Sequence, residues 1–202
     1  PFGAWSAYKA GGRFDRTTSM LNFAIIGLPS FVLGLLLVSA FALHWQIFPV
    51  TGWVRLTENV GENLKHAFLP ALTLALAEFA VYTQLLRGDM AATLQEDFVL
   101  SARARGLPSR HILLREALRP SSFSLITLAG VNLGRLIGGT VIVEVLFGLG
   151  GVGTLITQAI PQKDFPVLQG SVLILALGYV LINTVIDIGY NFIDPRVRRG
   201  HS

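Results

Sequence analysis

Three sets of residues in this sequence have types and spacings that chemistry can use. The first is Gly148-Leu149-Gly150-Gly151-Val152-Gly153, which satisfies G-x-G-x-x-G and follows the apolar run VIVEVLF. A dinucleotide site also needs a helix after the turn and an acid about 20 positions on, to hold the ribose. Asp164 comes too early for that role, and Asp187 lies in a separate apolar run. The glycines therefore read as a flexible, re-entrant or interfacial turn. No G-x-x-x-x-G-K-[ST] phosphate loop exists, so ATP cannot be held in that way. His44, His66, His111 and His201 show no metal-ligand spacing, and cysteine is absent. No local Ser/His/Asp signature stands out either. The chain is expected to carry no catalysis, no cofactor and no metal.

The second set is QEDFVLSARARGLPSRHILLREALRP, from Gln95 to Pro120. It is charged, rich in arginine and built of helix formers. Thr93-x-x-Glu96 fits a capping box at a helix start. Arg103 and Arg105 fall where that helix would end, and cations suit the dipole there. Gly106 supplies a left-handed residue and Pro108 prevents continuation. Ser109 can cap a second short helix reaching about Leu118. The predicted product is a surface helix pair with a defined elbow at Gly106-Leu107-Pro108.

What must position this elbow is a membrane bundle. Hydrophobic residues make up 52% of the chain and charged ones 14%, against about 25% charge in soluble domains. The mean hydropathy is +0.59. Crossing ~30 Å of hydrocarbon takes about 20 apolar residues. Four segments qualify: 22–43, 66–87, 122–147 and 166–190. Pro29 and Pro70 are tolerable because a bundle can satisfy freed carbonyls. The fold class is therefore all-α, a multi-pass helical membrane protein with about four transmembrane helices, forming one transmembrane domain over 1–202.

The net charge of +4 is unevenly placed. Lys9, Arg13 and Arg16 lie in segment 1–21, and Arg196, Arg198 and Arg199 in tail 191–202. Arg87 and five further arginines mark loop 88–121. The opposite loops hold only Arg55, Lys65 and Lys163, offset by Glu58, Glu62 and Asp164. The positive-inside rule then puts both termini and the arginine loop in the cytoplasm. A basic loop alone is no more than a topology signal or an anchor for anionic lipid. A topology signal needs no defined turn, so the elbow points to mechanical use.

The third set is the charges within spans: Glu78, Arg135, Glu144 and Asp187. Each costs about 2.5–3.5 kcal/mol at the bilayer centre, so it should face a bundle interior or watery cavity. Arg135 is central in its span. It admits two readings: lining a path for a charged solute, or a structural salt bridge with Glu78. Arg135 and Glu144 sit nine residues apart, on opposite helix faces. Glu144 and Asp187 fall near the interfaces, where water can solvate them. Gly130, Gly134 and Gly138 recur every fourth residue, a ridge on which another helix can pack closely.

Ala102-Arg103-Ala104-Arg105-Gly106-Leu107 resembles the cytoplasmic coupling (EAA) loop of permease subunits in binding-protein-dependent ABC importers, and most closely that of the dipeptide and oligopeptide group. Only Ala102 and Gly106 fit the general pattern strictly, since Leu100-Ser101-Ala102 stand where Glu-Ala-Ala is usual. PFGAWSAYKAGGRFDR, LPSFVLGLLL, FLPALTLALAEFAVYTQLLRGDM, VEVLFGLGGVGTLITQAIPQKDFP and NTVIDIGYNFIDPRVRRG extend the likeness over nearly the whole chain. Members of this family usually have about six spans, and this sequence begins after the second. It corresponds to a piece or to a naturally short protein.

The resemblance implies a multi-pass protein of the plasma (inner) membrane that forms half of a path for peptides. Ser101, Ala102, Arg103, Ala104, Arg105, Gly106 and Leu107 would couple to an ATPase, and Glu78 and Arg135 would border the path. It also implies a second permease subunit, two ATPase subunits carrying ATP and Mg, and an extracytoplasmic substrate-binding protein, with no nucleic acid. Three other readings compete: a permease for nickel or another small solute, a non-transport membrane scaffold, and the dinucleotide enzyme.

Overall fold

The computed structural model describes residues 2–139 and 141–193, and omits the side chains of Arg135, 137–139, Asp187 and 190–193. All elements among the described residues are helical: α1 (Phe2–Tyr8), α2 (Arg13–Ile26), α3 (Ser30–Leu37), α4 (Val60–Thr93), α5 (Asp97–Ala104), α6 (Ser109–His111), α7 (Leu118–Gly139), α8 (Val141–Phe147), α9 (Val152–Gln162) and α10 (Phe165–Ile193). Two π-helical stretches, Val38–His44 and Ile112–Ala117, extend α3 and bridge α6 to α7. Among the described residues, only α4 and the Phe165–Ile186 part of α10 are each long and apolar enough to cross a membrane alone. The count reaches four if α2 with α3, and α8 with α9, each form one broken span.

These bounds depart from the expected spans in instructive ways. The run 22–43 is divided at Gly27-Leu28-Pro29, because proline lacks the N–H that a continuing helix needs. The α4 helix does run through Pro70 unbroken and continues past the apolar run to Thr93. Helix α8 turns by 86° into α9, so the glycine-rich stretch is the corner of a bent pair.

The chain divides into two compact units: residues 1–28 with 76–129, and residues 29–75 with 130–202. In the first, Ala4 and Ala7 of α1 pack with Leu86 and Met90 of α4 and with Leu94 just after it. Val99 and Ala102 of α5 and Ile112, Leu113 and Ala117 complete this core. Small residues make the approach possible. A Cβ on Gly3 would lie 2.6 Å from the Thr83 carbonyl oxygen, which is backbone and cannot yield.

The second unit has its own core of Val38, Ala42, Leu69, Val143 and Phe147. Phe147 is fully buried, and its carbonyl accepts a 3.0 Å bond from Gly52 N–H. The Gly52 carbonyl is in turn 3.1 Å from His66 Nδ1, and Asn63 Nδ2 donates to the Val54 carbonyl at 2.6 Å. Loop 45–59 is thereby fastened to α4 and α8. Helix α10, by contrast, is almost bare, with Leu173, Ile174, Leu181 and Val185 all more than half exposed. Such a face suits lipid or another apolar helix.

Phe147→Ala should cost about 3–5 kcal/mol, because a fully buried aromatic leaves a cavity the core cannot close. Thermal unfolding in detergent would read this as a marked loss. An unchanged midpoint would mean that Phe147 does not hold the second unit together.

Candidate functional site

The arginine loop folds in the first unit, and its punctuation is local. Helix α5 starts at Asp97 with Glu96 at the cap and no side-chain cap bond. The capping box expected from Thr93 and Glu96 does not form. Thr93 closes α4 instead, where its Oγ1 bonds the Asp89 carbonyl at 2.8 Å and meets Ser121 Oγ at 3.0 Å. Tertiary contact with α7 takes the hydroxyl that the sequence pattern offered to a cap.

The elbow itself is a Schellman motif. Gly106 has φ +74° and donates to the Arg103 carbonyl at 2.9 Å, while Leu107 N–H donates to the Ala102 carbonyl at 3.3 Å. The motif's usual apolar contact is present too, because Leu107 packs against the core that holds Ala102. Pro108, not Ser109, then stands at the next cap, and Ser109 is the first helical residue. The expected short second helix is also corrected. From Ser109 the helix continues to Gly139, and it carries Pro120 just after the π-helical stretch. A wider π turn leaves room for a ring that cannot donate to the preceding turn.

Burial divides the seven expected coupling residues. Ala102 is fully buried beside Val99 and Leu107 is half-buried, whereas Ser101, Arg103, Ala104, Arg105 and Gly106 are exposed. Phe98 and Leu100 also point outward, 46% and 48% exposed. One face of α5 is therefore docked, and the other offers two large apolar side chains with two guanidinium groups nearby. That mixture of apolar anchors and Arg is what protein interfaces favour. Arg103 and Arg105 also complement the negative end of the α5 dipole.

The same unit holds a clamp that the sequence pattern did not reveal. Asp15, at the start of α2 and outside the expected span, is buried. Arg87 Nε and Nη2 of α4 both donate to its carboxylate, the second at 2.7 Å. Ser6 Oγ of α1 donates at 2.6 Å and Gly11 N–H at 2.9 Å. The Arg87 bonds, and then those from Ser6 and Gly11, hold the Asp15 carboxyl well below the usual carboxylate range despite the opposing effect of burial. One signal was available: Asp15 is the sole acid before Glu58, within a basic segment.

The other expected site residues are scattered. Glu78 is half-buried on α4. The side chain of Arg135 and the surroundings of Gly138 lie outside the described residues. Gly130 and Gly134 are buried on α7, and Gly134 faces the Asn183 side chain of α10 so closely that a Cβ would clash. Glu144 is more than a solvated charge. Its Oε2 accepts a 2.8 Å bond from Gly153 N–H and so caps α9. A Cβ on Gly151 would collide with that same carboxylate. Gly153 of the dinucleotide-like motif, and Gly151 within it, are therefore explained by a side chain of the chain itself. No group of three or more potential metal ligands occurs among the described residues.

Residues 1–199 match the family described as "Binding-protein-dependent transport system inner membrane component". The chain is similar to a probable peptide ABC transporter permease protein of Sinorhizobium fredii, with 36% identity over 98% of this chain and 63% of that protein. It is similar to the dipeptide transport system permease protein of Escherichia coli K12, with 30% identity over 98% of this chain and 65% of the relative. For the glutathione transport system permease protein of Escherichia coli O1:K1 the identity is 32%, over 91% and 58%. The chain thus spans less than two thirds of the length of these relatives.

Asp15→Asn should destabilise the first unit by about 2–3 kcal/mol, at the low end for a broken buried pair because Arg87 retains some exposure. Arg87→Gln should cost a similar amount, and the double variant less than the sum. A carboxyl whose folded pKa is depressed stabilises above its unfolded value, near 3.9, and that gain fades as pH falls further. The stability gap between wild type and Asp15→Asn should stay constant from pH 5 to 8 and shrink below about 4. Strictly additive variants, or a gap that changes near neutrality, would rule out the clamp.

Proposed function

The chain belongs to the binding-protein-dependent transport system inner membrane components, and from that premise we propose that it forms half of a translocation path for peptides and couples ATP hydrolysis in partner subunits to alternating access. The observation that carries the coupling role is the two-faced α5 and its Schellman elbow. An element that transmits force must be stiff and must be anchored on one side. Val99 and Ala102 anchor α5 to α4 and α1, and the hydrogen-bonded glycine turn fixes its end. Phe98, Leu100, Arg103 and Arg105 remain free for a motor subunit.

In this reading two ATPase subunits with ATP and Mg lie on the cytoplasmic side, where both termini also lie. Closure of their dimer pushes on Ser101–Leu107. Because Ala102 belongs to the same core as Ala4, Leu86 and Ala117, the push is delivered to α1, α4 and the π-helical stretch that leads into α7 together. Proteins with closely packed cores respond by switching between discrete packings rather than by bending continuously. The energy comes from the partners, and this subunit turns it into a population shift. A second permease subunit completes the path, and an extracytoplasmic binding protein supplies the substrate. The peptide and glutathione named for the relatives support a short-peptide substrate. Glu78 and Arg135 would border the path and read the charged ends of such a peptide.

Gly106→Pro is the direct test. Proline is locked near φ −65° and cannot take the φ of +74° found here. Uptake of labelled dipeptide by the assembled importer should be abolished, while insertion and subunit assembly persist. Gly106→Ala has open space around its Cβ and faces only the left-handed backbone cost of about 1–2 kcal/mol, so it should retain partial uptake. Full uptake by well-inserted Gly106→Pro would refute coupling through this elbow.

A further inference from the structure

An apolar cavity of about 650 Å³ opens between α1 and the helix that begins at Ser109. Ala4 and Leu113 form its buried floor, Trp5, Tyr8 and Leu114 its exposed walls, and the half-buried Leu118 closes one end. Arg110 also lines it, and Lys9 Nζ stands 5.0 Å from the Trp5 ring centroid. A second, more polar cavity shares Tyr8, Ser109 and Leu113 with the first and adds Arg103. Among the described residues, no acidic side chain lines either cavity.

From this geometry we infer that the paired cavities hold an anionic phospholipid, with acyl chain in the apolar cavity and phosphate near Ser109 and Arg110. Depth supports it. Leu118 lies only four residues, about 6 Å of helix, before the expected start of the third span at 122. Trp and Tyr are the residues that settle at headgroup level, with the ring in hydrocarbon and the polar tip in water. Charge supports it as well, because a wholly cationic rim selects anionic over zwitterionic headgroups. A bound lipid would fill the gap between α1 and the segment that joins the elbow to α7, and so stiffen the base on which α5 rests.

The assembled importer, placed in phosphatidylcholine liposomes doped with phosphatidylglycerol carrying a photoreactive acyl chain, tests this. After irradiation, peptides containing Trp5–Tyr8 and Leu113–Leu118 should be labelled. The same photoreactive chain on phosphatidylcholine should label them at least fivefold less, at about a fivefold preference per cationic side chain. Lys9→Gln and Arg110→Gln should each remove about fivefold of the phosphatidylglycerol labelling while that by phosphatidylcholine stays as it was. Leu114→Trp should fill the cavity and suppress both. Equal labelling by the two lipids would overturn the headgroup assignment. No labelling by either would show that a protein surface covers the cavity, and would equally overturn the proposal. The readout needs no uptake, so it stands apart from the coupling test.

Discussion

A carboxylate taken out of water needs its strong acceptor positions filled, and Asp15 obtains its donors from three places at once. Arg87 comes from α4, Ser6 from α1 and the Gly11 N–H from the turn between α1 and α2. Removing any donor leaves a buried charge short of partners, so α1, α2 and this end of α4 have one acceptable arrangement. Gly3 makes that arrangement possible by letting α1 lie directly on the α4 backbone. The floor under α5 follows from it. Met90, Leu94, Ala4 and Ala7 present a fixed apolar surface, and Val99 and Ala102 settle on it.

The elbow then needs little more than local chemistry. A left-handed glycine, two crossed backbone hydrogen bonds and one apolar contact end α5 without help from distant residues. Because the inner face of α5 is already buried, its outer face can carry Phe98 and Leu100 beside arginine. Exposed apolar side chains in that company have the composition that protein interfaces favour. The continuous helix from Ser109 to Gly139 adds a second consequence. A displacement at the elbow enters α7 directly, with no flexible linker between them.

The second unit settles its own polar problem differently. Glu144 sits in an apolar helix, where an unpartnered charge would be costly. The sharp corner after Phe147 brings the N-terminus of α9 back to it, and the Gly153 N–H takes the carboxylate. Gly148 and Gly150 supply left-handed backbone for the corner, and Gly151 the space. The glycine-rich pattern thus accommodates a half-buried acid that caps α9.

Hydrophobic run length, the crowding of arginines into one polar segment and the Gly-Leu-Pro spacing were enough, without coordinates, to establish an all-helical membrane chain with a turn at Gly106. These are properties of neighbouring residues: solvent preference per segment and backbone preference per position. The roles of Thr93, Ser109, Asp15 and Glu144 were beyond such reading. Each hydroxyl or carboxylate had several local partners open to it. Only the packed structure decided which distant donor or acceptor reached it first: Ser121 for Thr93, Arg87 for Asp15 and Gly153 for Glu144. The continuity of the helix through Pro120 was decided in the same way, because a π turn spreads the loss of one donor across a segment that tertiary packing already holds.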